Sequence, residues 1–181
     1  MFIQPNKTKA KLKQGLPVYG VLSTSDDPQF AELCGIAGFD FYMLDAEHGL
    51  IDPAQAVNVI RACEQTDITP LIRIGSKDPK LVLQYLDAGM MGIMMPGLEV
   101  CIVGPRDLSL NMGFPDGPNH PEVQTVIDQV IAVMKQTNII AGITAGTRAD
   151  AAKQVARGAN MIIAASQSLI FSGSKEFLPE K

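Results

Sequence analysis

Gly92-Ile93-Met94-Met95-Pro96-Gly97-Leu98-Glu99-Val100-Cys101-Ile102-Val103-Gly104 is the stretch on which the reading of the fold turns. It contains two short runs, at 92–98 and 101–104, that are apolar on both faces, as parallel strands covered by helices are. Parallel neighbours need a crossover of about a dozen residues or more. Only Glu99 and Val100 separate these two runs. A hairpin of that length favours Asn-Gly or Asp-Gly, which is not here, and a single merged strand would be interrupted by Pro96. The junction therefore reads as a place where part of a parallel α/β sheet is missing, with Val100 and Cys101 not expected to be true covalent neighbours.

Working outward, the same alternation continues on both sides. Toward the N-terminus, Asp27-Pro28, Asp52-Pro53 and Asp78-Pro79 each precede an apolar stripe at helical spacing. Aspartate caps orphan backbone N–H groups, and proline suits the first helical position. Gly38 and Gly89 are the stops expected for the first and third of these helices. Between them lie β-rich runs at 18–24, 39–44 and 69–75. Toward the C-terminus, helices are expected at 121–136 and 147–157, with strands at 139–144 and 161–165. The total is seven strands, where a closed (β/α) barrel has eight. No Gly-x-Gly-x-x-Gly follows the first strand, so the dinucleotide-binding version of an open sheet has no support.

Composition narrows the class of molecule. Of 181 residues, 46% are hydrophobic and 19% charged, which suits one globular domain spanning 1–181. A formal net charge of -4 without a Lys/Arg block argues against a nucleic-acid or anionic-membrane partner. No apolar stretch reaches the ~18 residues of a membrane span, and the first residues lack the apolar centre of a signal peptide. Cys34, Cys63 and Cys101 are scattered among apolar neighbours. They read as buried small hydrophobes of a cytoplasmic protein rather than as a disulfide framework or zinc cluster.

Candidate chemistry gathers where strands end. Asp45-Ala46-Glu47-His48-Gly49 closes the second strand, at the end of a barrel where active sites are built. A histidine between acids can be a general base, because its neighbours hold the tautomer and stabilise the cation. The plain alternative is a loop histidine with solvated acids. As metal ligands, the adjacent Glu47 and His48 are expected to splay apart. Arg73, in Leu71-Ile72-Arg73-Ile74-Gly75, must send its charge to a partner. That partner is either an anionic substrate held by a bidentate fork or an acid such as Asp45. In Gly104-Pro105-Arg106-Asp107-Leu108-Ser109, Asp107 is either a hard oxygen ligand for Mg²⁺ or Mn²⁺ or the N-cap of a short helix at 108–110.

Taken together, Asp45-Ala46-Glu47-His48-Gly49, Pro70-Leu71-Ile72-Arg73-Ile74, Leu86-Asp87-Ala88-Gly89, Gly92-Ile93-Met94-Met95-Pro96 and Gly104-Pro105-Arg106-Asp107-Leu108-Ser109 resemble successive motifs of the HpcH/HpaI aldolase family. They follow its order and, up to Pro96, its spacing. The resemblance runs from about Val18 to Phe171. It implies a TIM-type (β/α)8 barrel and a class II, metal-dependent pyruvate aldolase. Such an enzyme adds the enolate of pyruvate or a related 2-oxo acid to an aldehyde, and cleaves 4-hydroxy-2-oxo acids in reverse, with Mg²⁺, Mn²⁺ or Co²⁺. Residue by residue, it implies His48 as general base, Asp87 as its supporting acid and Arg73 as the group that binds the 2-oxo acid and stabilises the enolate. Asp107 becomes a metal ligand and Arg106 touches substrate through its backbone.

Two departures follow from the same resemblance. The second metal ligand, a glutamate in a Gln-x-Glu motif, belongs on a strand between the Pro96 and Gly104 motifs and is absent. On the order of 70 residues are expected there, which would bring the chain to the ~250 typical of such barrels. Asp87 ends a helix ahead of a strand, hence at the rim opposite His48, so contact would need a neighbouring subunit or a local distortion. A homo-oligomer, a hexamer by the resemblance, is expected, with 169–181 docking on a neighbour. Two other readings stand beside the aldolase: a citrate-lyase-like CoA-ester lyase, and a non-catalytic barrel remnant serving as an oligomer subunit.

Overall fold

Each Asp-Pro pair opens a helix. α2 (Pro28–Ile36), α3 (Pro53–Thr66) and α4 (Pro79–Ala88) are capped by the side chains of Asp27, Asp52 and Asp78, with proline in the first turn of each. At Asp52 the cap is reciprocal, because Gln55 returns a bond to the Asp52 backbone. Gly89 ends α4 at φ 114, a left-handed conformation that disfavours any side chain. The computed structural model describes residues 5–95, 100–115, 117–137 and 139–179.

Among the described residues, seven strands form one parallel sheet: β1 (Val18–Ser23), β2 (Phe41–Asp45), β3 (Thr69–Arg73), β4 (Ile93–Met94), β5 (Val100–Val103), β6 (Ile140–Thr144) and β7 (Met161–Ala165). Their order is β4-β3-β2-β1-β7-β6-β5, and every pairing is parallel. The remaining helices are α1 (Lys7–Lys13), α5 (Pro105–Asn111), α6 (Pro121–Lys135), α7 (Arg148–Arg157) and α8 (Ser166–Phe177). This is an incomplete TIM-type barrel, curled but open between β4 and β5. The terminal helices α1 and α8 lay outside the elements read from the sequence.

The discontinuity lies a few residues from where it was expected. Val100 and Cys101 are consecutive in β5, in register with Ile140 and Ala141. The break in the sheet therefore falls between Met94 and Val100. Strand register overrides the short-range reading here, since β6 offers Val100 a partner that a sequence window cannot show. Of the strand expected at 92–98, Ile93–Met94 is observed, and 96–99 lie outside the described residues.

Period-two alternation assigns the two faces of the sheet. Val18, Phe41, Met43, Leu71, Met161 and Ile163 point into the barrel. Tyr42, Leu44 and Ile72 point outward against α2, α3 and α4, and Ala141, Ile143 and Ile162 outward against α6 and α7. Gly20 leaves room for the inward Phe41 ring, which a Cβ would meet at 2.3 Å. α1 closes the N-terminal end of the barrel: the Thr8 hydroxyl bonds the Asp40 carbonyl and Thr69, and the Asn6 side chain donates to the Met91 carbonyl. A cavity of about 570 Å³ remains inside, lined by Leu12, Met43, Leu71, Ile102 and Met161 among others. Among the described residues, no helix is long and apolar enough to cross a membrane.

Candidate active site

Strand parity builds the site. Phe41 and Met43 face the barrel interior, so Asp45, two further on, does too; Leu71 does likewise, and so does Arg73. Asp45 and Arg73 are also register partners, the last pair of the β2–β3 ladder. An acid and a base thus meet side by side at the C-terminal rim. Arg73 Nε donates to Asp45 Oδ1 at 2.9 Å and Nη2 to Oδ2 at 2.5 Å. This two-point grip is the strong, charge-assisted form of ion pair. Of the two partners open to Arg73 in the sequence, Asp45 holds its Nε–Nη2 edge, so a substrate carboxylate would have to use the remaining Nη1.

The turn that follows β2 brings His48 back over the pair. Asp45 Oδ1 accepts from the backbone N–H groups of Glu47 and His48, both at 3.2 Å, and the Gly49 N–H donates to the Asp45 carbonyl. This is the local turn chemistry of aspartate. A Cβ at Gly49 would lie 2.5 Å from that carbonyl, so the turn requires glycine. The His48 Nδ1 comes to 2.7 Å from Arg73 Nη2 and 3.3 Å from Asp45 Oδ2. Glu47 adds an ion pair to Arg73 Nε at 3.2 Å. The Asp45 side chain is 5% exposed, that of Arg73 20% and that of His48 64%, so the pair is sheltered and the imidazole reaches solvent. Burial raises the Asp45 pKa, but the Arg73 bonds and charge, with the two His48 contacts, outweigh it and hold the carboxyl below the ordinary aspartate range. A cleft of about 340 Å³ opens beside Glu47, lined also by Gly75, Ser76 and Tyr85.

The other expected site residues are not drawn into this cluster. Asp87 is exposed near the C-terminal end of α4, at the opposite rim, and the carboxylate that touches His48 is Asp45. Asp107 and Arg106 follow β5 and so share the His48 rim, but both are exposed at the sheet edge. Asp107 is not an N-cap: α5 begins at Pro105 after Gly104, and Asp107 sits within the first turn, its Oδ2 folded over Gly104. Asp45 was legible both as an acid beside His48 and as one of two partners open to Arg73, and the β2–β3 register decides the second.

The metal expected from the resemblance meets an unfavourable donor set. Asp45, Glu47 and His48 do not splay: the turn brings one ligand atom of each within 4.8 Å of the others. Arg73, however, already touches all three, so a divalent ion there would face a fixed positive charge. Asp107 belongs to no group of three potential ligands among the described residues. One carboxylate is a poor site for a cation that takes about six oxygens.

Cysteine placement also departs from expectation at one position. Cys34 and Cys63 are buried, with thiol pKa values pushed by burial up to about 11 and about 12. Cys101 is exposed, because it points outward from the open edge strand.

A parallel barrel whose charged cluster stands at the strand C-termini is the architecture of the TIM-barrel enzymes. Residues 19–101 match the model of the HpcH/HpaI aldolase/citrate lyase family. The chain is 22% identical to a 5-keto-4-deoxy-D-glucarate aldolase of Citrobacter koseri, with 98% of this chain and 96% of the relative covered. It is 22% identical to a hydroxypyruvate/pyruvate aldolase of Sagittula stellata, covering 79% and 84%. The Citrobacter alignment extends over 248 residues against the 181 of this chain, so it includes a long stretch of the relative with no counterpart here. In structure, a HpcH/HpaI aldolase/citrate lyase family protein from Burkholderia cenocepacia superposes with a TM-score of 0.85 at 21% identity, covering 96% of this chain and 98% of that one.

Proposed function

We propose that the chain is an aldolase that forms the enolate of pyruvate or a related 2-oxo acid and adds it to an aldehyde, with cleavage of a 4-hydroxy-2-oxo acid as the reverse. The observation that carries this reading is the Asp45–Arg73–His48 cluster at the barrel rim. Removing a methyl proton from a 2-oxo acid needs a base and a fixed positive charge where the enolate oxygen develops. His48 supplies the first and Arg73 the second, through Nη1. The names of the aldolase relatives point the same way. Arg106 and Asp107, at the same rim, are assigned to the substrate's distal side. Asp87 acts only if a neighbouring subunit brings it to His48. A homo-oligomer fits α8, whose exposed Ile170, Phe171 and Phe177, with Leu178 just beyond, form an apolar stripe. In this reading the protein acts in the cytoplasm on small-molecule substrates.

A divalent metal belongs to this reading as a requirement that the described residues do not meet alone, so no step is derived through it. A second reading, a non-catalytic barrel remnant, is favoured by the open edge between β4 and β5. Deuterium exchange into the methyl group of pyruvate separates the two, run with and without Mg²⁺, Mn²⁺ or Co²⁺. Exchange above the buffer rate that Arg73→Ala removes supports the aldolase. Exchange at the buffer rate under every condition would leave the remnant.

A further inference from the structure

Arg73 and His48 are close enough to decide where the imidazole keeps its proton. Arginine carries only donors, and each terminal nitrogen has two hydrogens. One Nη2 hydrogen serves Asp45 Oδ2 at 2.5 Å, and the other is left for His48 Nδ1 at 2.7 Å. A ring nitrogen that accepts carries no proton. The competing contact, Nδ1 to Asp45 Oδ2 at 3.3 Å, would need Nδ1–H. It is longer than a normal N–H···O bond and would set N–H against N–H at the shorter distance. In the resting site the guanidinium is held against the ring, because its Nε–Nη2 edge is gripped by a carboxylate that is itself buried and tied to the turn.

We propose that Asp45 is a positioning residue: it clamps Arg73 against His48, so that the resting imidazole accepts at Nδ1 and is fixed as the Nε2–H tautomer. The proposal rests on the aldolase reading for its use, since it makes the base's lone pair available only when Arg73 shifts. An anionic 2-oxo acid that draws the guanidinium toward itself would uncover Nδ1 at the moment the methyl proton must leave. Without such an anion the base is capped, and the enolising machinery is idle.

The tautomer can be read without any turnover. His48 and His120 are the only two histidines, so ¹⁵N correlation spectra of ring nitrogens contain two patterns, and His120→Asn assigns them. Asparagine keeps the α6 cap that His120 makes. In the unsubstituted chain, neutral His48 should show Nε2 protonated and Nδ1 bare. Asp45→Asn, which keeps the side-chain shape but cannot clamp two guanidinium donors, should shift His48 to a mixture of tautomers. Arg73→Gln should turn the ring toward Nδ1–H, now donating to Asp45. A native Nδ1–H pattern would overturn the proposal, as would an Asp45→Asn spectrum unchanged in a chain that keeps its far-ultraviolet circular dichroism. Should Asp45→Asn not fold, Arg73→Gln decides: an unaltered His48 pattern overturns the clamp. Failure of pyruvate exchange would count against the aldolase and leave the tautomer result standing.

Discussion

At the C-terminal ends of β2 and β3, Asp45, Glu47, His48 and Arg73 close on one another in a set of charge-assisted bonds. At the C-terminal end of β5, Arg106 and Asp107 stand in solvent. Both rims carry an arginine and an acid, but β2 and β3 are paired on both sides whereas, among the described residues, β5 is paired with β6 alone. A charged residue at a strand end finds its partner on the next strand in register. Beside β5, where the described residues place no next strand, Arg106 and Asp107 form no ion pair among those residues. The N-terminal half thus carries the connected cluster, and Arg106 and Asp107 stand apart from it.

The contrast is tested most strongly at the two arginines. Arg73→Ala should lower pyruvate methyl exchange by about two to three orders of magnitude, the scale of losing one preorganised oxyanion donor. Arg73→Lys should recover only part, since an ammonium lacks the planar fork that Asp45 grips. Arg106→Ala should change exchange far less, and equal losses at the two positions would erase the distinction between the rims.

Thiol labelling probes the same difference in packing. Burial keeps Cys34 and Cys63 protonated near neutral pH, and the thiolate is the reactive form. Iodoacetamide at pH 8 should therefore modify Cys101 on the order of a hundredfold or more faster than either, by peptide mass mapping. Uniform labelling in a folded chain would show that the N-terminal core is not closed.

A smaller effect lies in acid. The Asp45 carboxyl is held below its ordinary value, ~3.9 in an unfolded chain. Its contribution to stability is therefore complete above that value and is lost as pH falls through the lowered one. Asp45→Asn should flatten the acid limb of a urea-midpoint-versus-pH curve. An unchanged limb in Asp45→Asn would mean that the ion pair adds nothing to folding.

The smallest expected change is at a helix start. Asp52→Ala removes the side-chain half of the α3 capping box, leaving the backbone N–H bond to Gln55 Oε1, and should cost about 1 kcal/mol in equilibrium unfolding. A loss of several kcal/mol would place Asp52 in some contact beyond its cap.

Much of this architecture was legible in the chain because it depends on neighbours along the sequence. Aspartate before proline caps a helix wherever it occurs, so α2, α3 and α4 begin at the expected prolines. Apolar runs bounded by such helices are parallel strands, and their count left one strand too few for closure, as the sheet is. The rim location of His48, Arg73 and Asp107 followed from their places after strands. What the sequence could not settle depends on which strands lie side by side. Asp45 and Arg73 are 28 residues apart and meet because register places them opposite each other. That pairing claimed the fork of Arg73, the turn after β2 folded Glu47 and His48 onto one centre rather than letting them splay, and the β5–β6 pairing moved the break in the sheet to the N-terminal side of Val100. Exposure of Cys101 likewise followed from an edge that no run of residues announces. Local propensity is written residue by residue, but ion pairing and burial depend on distances across the sheet, and those exist only once the strands have paired.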